Sequence, residues 1–340
     1  MRILVIVLSL IVLPASFAGA ENTHSGKIVM LWDLILKKDD NLRPDKTIGY
    51  DGLTVISPTW FSIGRNADSV SSLADREYVR LAHDDGYKVW ALFENNSNSQ
   101  LTHKALSDAS RRNTIIEQIA GYARDYDLDG INVDFEAISR NTGDFFEDFI
   151  AELYAKLKAQ NMTLSVDIPV PVSGMQKVYE INRIVTNCDY IVIMAYDEYD
   201  GSSAVIGPSA AIGWVKQGIE DALKYISCDR IILGIPFFAR VWVENRDDNK
   251  FHISSELMGM KEAYDKFNQA AKIWGRDRAT EQIYAEYDED MKRYKVWLED
   301  EHSLSLKLDA VNDYKLAGMS AWRRGLEWNE IWDLICEYFK

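Results

Sequence analysis

Eight short apolar runs recur along the chain, and the apolar residues between several of them fall three and four positions apart. The runs cover residues 27–33, 53–62, 88–94, 130–136, 163–169, 190–196, 231–237 and 317–322. Their length and their Val, Ile and aromatic content predict buried strands. The segments 69–84, 111–126, 142–160, 212–225 and 303–314 carry the period of amphipathic helices. Such alternation predicts an α/β chain folded as a (β/α)8 TIM barrel, with its site at the C-terminal strand ends. An open doubly wound sheet is the competing arrangement, but it usually brings a glycine-rich phosphate turn, which the chain lacks.

The connection after Phe237 breaks the rhythm. Residues 243–299 hold strand-like stretches at 284–287 and 294–299 around a charged helical stretch at 260–267. They predict a small α+β insertion between the seventh strand and the last barrel helices. It either walls a cleft or decorates the surface. At the other end, Arg2, an apolar core over 3–13 and Ala18-Gly19-Ala20 read as an export signal. The core is short for a membrane span. The expected domains are therefore a signal over 1–20 and a barrel over 21–340, in an exported protein without a stable membrane anchor.

The fourth run holds the densest chemistry. In Asp129-Gly130-Ile131-Asn132-Val133-Asp134-Phe135-Glu136, polar and apolar residues alternate, so Asn132, Asp134 and Glu136 share one strand face. A polar row ending in two carboxyl groups is costly to bury on a strand without a purpose. A solvated acidic strand end, an ion pair or a metal site is the plainer reading. Strand six adds Met194, Tyr196 and Asp197 at its end, and strand eight ends at Trp322.

Taken together, Asp129–Glu136, the Met194-Ala195-Tyr196-Asp197 stretch, Leu233-Gly234-Ile235-Pro236-Phe237-Phe238-Ala239-Arg240 and the terminal Trp322 resemble glycoside hydrolase family 18, the chitinase-like family. Pro58-Thr59-Trp60-Phe61 and Val296–Asp300 are similar to its peptidoglycan-active members, the spore-cortex N-acetylglucosaminidases. One departure stands out: Asn132 occupies the place where most members carry a middle Asp. The resemblance implies a retaining, substrate-assisted hydrolase that cleaves next to N-acetylglucosamine. Glu136 would be the general acid, kept protonated by burial and by the charge of Asp134. Asp134 would hold the acetamide N–H and Tyr196 its oxygen. Asn132 would donate to Asp134. Trp322 would floor the sugar, with Met194, Asp197, Trp60, Glu94 and Arg240 as further substrate contacts. Trp32 and Asp33 are weaker cleft candidates, and Arg323 would either touch substrate or pair with a barrel carboxylate. Asp129 would mainly support the strand.

A lectin on an inactive barrel and an endo-acting enzyme on N-linked glycans are the alternatives. The first is disfavoured by the presence of Glu136, and the second shares every catalytic residue. With 53 acidic and 38 basic side chains, net charge −15, the chain is a poor nucleic-acid binder. An N-acetylated glycan is the expected partner, acted on by a monomer. No spacing suggests zinc, so neither metal nor cofactor is expected. Of three cysteines, Cys188 and Cys228 precede neighbouring strands and are expected to form a disulfide, ordinary buried thiols being the alternative. Asn95-Asn96-Ser97 and Asn161-Met162-Thr163 match the N-glycosylation pattern.

Overall fold

The structure is a computed structural model that describes residues 26–41, 49–171, 178, 180–247 and 250–339. The expected export signal lies outside these residues. Eight parallel strands close into a barrel. They are β1 (Ile28–Asp33), β2 (Val55–Ile63), β4 (Lys88–Glu94), β5 (Gly130–Asp134), β6 (Thr163–Pro169), β7 (Tyr190–Met194), β8 (Ile231–Pro236) and β14 (Gly318–Trp322). A ninth strand, β3 (Val70–Ser72), is antiparallel to β2. The order around the barrel is β1-β14-β8-β7-β6-β5-β4-β2, closed by β2 pairing with β1. Helices α1 (Arg76–Asp84), α2 (Ser99–Leu106), α3 (Ala109–Asp125), α4 (Gly143–Lys158), α5 (Ile181–Val185) and α6 (Ile212–Ala222) belong to the layer outside the strands, with α8 (Glu301–Asp313) and α9 (Ile331–Phe339).

Strand alternation separates two cores. Ile131, Val133, Leu164, Val166, Ile191 and Ile193 face outward into the layer shared with the helices. Met30, Trp32, Val55, Trp90, Leu92, Val192 and Ile232 fill the barrel interior. The bulky Trp90, stacked on Tyr190, has room because the neighbouring Gly130 lacks a side chain. A Cβ there would lie 2.6 Å from the Thr163 carbonyl oxygen and 2.9 Å from the Trp90 ring. At the N-terminal end of β5, Asp129 accepts from the Val89 amide and pairs with His83, so it supports the strand.

The second sheet begins directly after β8, earlier than the expected residue 243. Its strands β9 (Phe238–Asp247), β10 (Lys250–Gly259), β11 (Ile273–Asp277), β12 (Gln282–Glu289) and β13 (Lys292–Leu298) are antiparallel in the order β10-β9-β13-β12-β11. Helix α7 (Met260–Ala270) packs on it through Ala263 and Phe267, giving the insertion a small core of its own with Val241, Ala285 and Val296. The helix expected over 69–84 starts only at Arg76, because Val70–Ser72 pairs with the extended end of β2.

Two expectations are corrected here. Cys188 and Cys228 are free thiols and not the expected disulfide. Cys188 is buried before β7, and the Arg230 guanidinium donates to the backbone oxygens of Val185 and Cys188 while approaching the Cys188 sulfur. Burial raises the Cys188 thiol to about 12, which makes it unreactive. Trp60 does not reach the barrel mouth. A register shift between Thr59 and Phe61 turns it into the outer core, where it is 2% exposed, donates to Asn41 and meets the Tyr78 ring edge-on.

The end of β13 is joined to α8 by a buried ion pair. Lys307 Nζ lies 2.9 Å from Glu299, which also accepts from Ser303 and Gln282. Lys307→Met should therefore destabilise the protein by about 3–5 kcal/mol, since Glu299 would be left buried without its cation. Adding Glu299→Gln should restore part of the loss, as denaturant titration would show. Unfolded protein without reductant should also react with a thiol reagent at both Cys188 and Cys228.

Candidate active site

The C-terminal ends of β4, β5 and β6 bring four acids together. In the pairing of β4 with β5, Glu94 stands opposite Asp134. On the other side, the β5–β6 register runs to Val133 opposite Val166, so the next residues along the two strands are Asp134 and Asp167. Glu136 lies two residues past the end of β5.

Asn132 organises the layer beneath. Its Oδ1 accepts from Trp32 Nε1 at 2.8 Å and from Ser57 at 3.4 Å. Because the indole only donates, the amide orientation is set. Its Nδ2 must then point to β6, where it donates to Ser165 at 3.0 Å and to Asp167 Oδ1 at 2.5 Å. The expected donation of Asn132 to Asp134 is absent; Asp167 receives it instead.

Burial falls on the inner acids and spares Glu136, which is exposed; its expected burial is thus corrected. The reason is that β5 stops at Asp134, so Glu136 stands at the lip. It is gripped there by the segment after β4. Asn95 Oδ1 accepts from the Glu136 amide, Asn95 Nδ2 donates to the Glu136 carbonyl, and Ser97 Oγ donates to the Glu136 carboxyl at 2.6 Å. Asn95 is itself fully buried and also donates to Thr102. Its amide is therefore not accessible to a glycan, despite the sequence pattern, whereas Asn161 is exposed.

Asp134 Oδ1 is buried with no hydrogen-bond partner. Burial first, then the charges of Glu136 and Glu94, raise its carboxyl to about 7. Asp167 is 5% exposed and is also raised, by burial and by Asp134, against the hydrogen bond from Asn132. Glu94 is raised by burial and by Glu136. Tyr196 lies edge-on to Trp32 and Phe238, and burial together with Asp134 and Asp167 keeps its hydroxyl protonated.

Trp322 is half-buried at the end of β14, tilted against Trp32 with ring centroids 5.9 Å apart. Trp32 therefore packs beneath Trp322 and is 1% exposed. Asp197, in the left-handed region at φ 59°, receives Arg240 at 2.7 Å. Arg240 comes from β9 and also donates to Ser255 of β10, so the second sheet is tied to the segment after β7. Met194 and Glu136 line a cavity of about 460 Å3 whose outer wall is apolar, with Phe135, Pro169 and Tyr225. Asp33 is buried below the site, bonded to Tyr78 and Arg324. Arg324, next to the Arg323 considered from sequence, thus pairs with a barrel carboxylate. Among the described residues, no three His, Cys, Asp or Glu side chains converge as metal ligands.

Sequence reasoning missed Asp167, Asn95 and Ser97. Asp167 had a visible signal: the alternation Thr163-Leu164-Ser165-Val166-Asp167 repeats the apolar-and-polar row of β5 on the next strand. Asn95 and Ser97 had none beyond the glycosylation pattern, since their function depends on a loop geometry.

A closed parallel barrel with an exposed acid above recessed carboxyls at its mouth is consistent with a glycoside hydrolase. The sequence profile described as Glycosyl hydrolases family 18 matches residues 49–327, and the chain belongs to that family. Among curated proteins, it is 23% identical over 307 residues to the uncharacterized glycosylase YvbX of Bacillus subtilis, covering 85% of this chain and 88% of that protein. It is 25% identical over 252 residues to a cortical fragment-lytic enzyme of Bacillus anthracis, covering 72% of this chain and 57% of that protein. Among solved structures, the spore cortex-lytic enzyme SleL of Bacillus megaterium matches with a TM-score of 0.81 at 19% identity, over 92% of this chain and 74% of that one. The C-terminal domain of a putative chitinase from Desulfitobacterium hafniense matches at 0.82 and 23%, over 92% and 99%.

A raised carboxyl links the site to stability. Between the ordinary Asp value of about 4 and about 7, the folded state holds a proton that the unfolded chain has released. Stability attributable to Asp134 is therefore lost as pH rises through that window. Asp134→Asn should flatten this dependence and raise the melting temperature at pH 8 more than at pH 5, measured by calorimetry. An equal shift at both values would contradict the assignment.

Proposed function

We propose that this hydrolase cleaves the bond beside a β-linked N-acetylglucosamine, with peptidoglycan the first substrate to test and chitin-like oligosaccharides the second. The reading rests on one observation above all: an exposed, backbone-anchored Glu136 over a recessed Asp134 with the Tyr196 hydroxyl beside the same barrel mouth. The names of the cortical fragment-lytic and spore cortex-lytic relatives favour peptidoglycan.

In this mechanism the Glu136 carboxyl gives its proton to the glycosidic oxygen as the bond to the anomeric carbon breaks. The substrate's acetamide oxygen attacks that carbon, forming an oxazolinium ion. Asp134, as carboxylate, accepts from the acetamide N–H and balances the positive charge, while the Tyr196 hydroxyl donates to the acetamide oxygen. Glu136, now a carboxylate, takes a proton from the water that opens the ring, so configuration is retained. Trp322 gives the sugar a flat apolar floor. Ser97, which donates to Glu136, holds its carboxyl in place. Export belongs to the same proposal, since such a glycan is extracellular and residues 1–20 carry the expected signal.

Purified peptidoglycan and a chitin oligosaccharide, digested in parallel and analysed by mass spectrometry after reduction of new ends, test this reading. New reducing N-acetylglucosamine ends are expected, and Glu136→Gln should lower their rate by at least about 100-fold. Absence of cleavage of both substrates, or products unchanged by Glu136→Gln, would refute it. Ser97→Ala should cost less, about tenfold, because one donor to the carboxyl is lost while the Asn95 grip remains.

A further inference from the structure

We propose that Asp134 and Asp167 form a proton-sharing pair across β5 and β6, and that Asp167 is a positioning residue which takes the proton from Asp134 as the reaction begins. The inference rests on the function proposed above for its catalytic half.

Three observations carry it. The first is placement. Asp134 and Asp167 are the next residues beyond the paired Val133 and Val166, on adjacent parallel strands, and both belong to inward-facing rows. Neighbouring strands lie about 4.8 Å apart, so the two carboxyls are side by side. The second is orientation. Asn132 occupies Asp167 Oδ1, leaving Oδ2 as the atom free to meet a neighbour. The third is that Asp167 Oδ2 and Asp134 Oδ1 are both buried without a partner. Two such oxygens cannot both stay ionised at close range, and one proton between them satisfies both.

Among the described residues, no cation acts on either carboxyl. The titratable groups facing the pair are Glu94 at the end of β4, Glu136 beyond β5, and Tyr196 and Asp197 beyond β7. The nearby Arg240 is engaged by Asp197. Barrel strands β1 and β2 contribute the neutral Trp32 and Ser57, both spent on Asn132.

The proton movement is balanced. In the resting pair, Asp134 is the acid and Asp167 the carboxylate, which receives the Asn132 N–H. As positive charge grows on the substrate, the Asp134 O–H bond breaks and an O–H bond forms on Asp167. The pair keeps one negative charge, which now sits on Asp134. The reverse transfer restores the resting state after hydrolysis. Asn132 belongs to this device: a carboxyl at 132 would face Asp167 with like charge, whereas the amide donates to it.

Two experiments on the full chain separate this inference from the proposed function. In the first, the wild-type enzyme, Asp167→Asn and the swapped Asn132→Asp/Asp167→Asn variant are assayed on the glycan the wild type cleaves. Asp167→Asn should lower kcat by about tenfold to 100-fold with KM nearly unchanged. The swap should recover at least about fivefold of that, since it returns a carboxyl to the layer with the Asn132–Asp167 hydrogen bond reversed. An unchanged kcat in Asp167→Asn, or no recovery in a folded swap variant, would overturn the inference while leaving the hydrolase reading intact. The second needs no activity. Thermal unfolding at pH 5 and pH 8 of Asp134→Asn, Asp167→Asn and the double variant should show that either substitution removes the same pH dependence, so that the double variant gains little more. Additive gains would mean independent carboxyls and would overturn the pair.

Discussion

Everything at the mouth of this barrel depends on how negative charge is held among carboxyls recessed between adjacent strands. Four acids converge from three adjacent strand ends, and the nearby Arg240 is already paired with Asp197. A buried carboxylate without a partner is too costly to keep. Protonation and amide donors therefore take over the work that a salt bridge would do elsewhere. Asn132 is central because it faces both ways: its oxygen satisfies the Trp32 indole and its nitrogen satisfies Asp167. The indole of Trp32 in turn packs against Trp322 and Tyr196, so a single amide links these rings to the acids.

The same arrangement explains why the site costs stability and why the fold tolerates it. The outward faces of the same strands carry an apolar layer: Ile131 and Val133 on β5, Leu164 and Val166 on β6, all fully buried. Each buried aliphatic side chain contributes roughly 1.5–3 kcal/mol relative to exposure. Such a layer can offset the expense of the inward polar row, and because alternation separates the two faces, the acids do not disturb the outer packing.

The barrel itself was legible because its strands and helices follow different periods, and each strand expected from the pattern occurs within a few residues. The exceptions have physical causes. Val70–Ser72 became a strand by pairing with β2, a contact that no local period records. Trp60 turned outward because a register shift in β2 interrupts the alternation from which its inward direction was read. The thiols of Cys188 and Cys228 lie near one another in topology, yet the Arg230 guanidinium occupies the ground beside Cys188. In the site, the row on β5 was readable from its alternation, and Asp167 was equally readable once the strand next to it was asked the same question. The Asn95–Ser97 clamp was not, because it depends on how a turn after β4 folds over the end of β5.

The division of labour between strand and loop then follows. Asp134 and Asp167, whose charge state depends on close fixed spacing, sit on or directly beyond paired strands, the most rigid part of the barrel. Glu136 stands past the strand end, with its carboxyl exposed at the barrel mouth. Asn95 holds its backbone through two hydrogen bonds, and Ser97 donates to its carboxyl. The second sheet adds a wall through Arg240 and Asp197 without intruding on that acid layer. Its own core of Val241, Phe267 and Val296 lets it be built separately and attached by a few polar contacts. A chain can thus vary the wall, and with it the glycan admitted, while the charge arrangement on β4, β5 and β6 stays fixed.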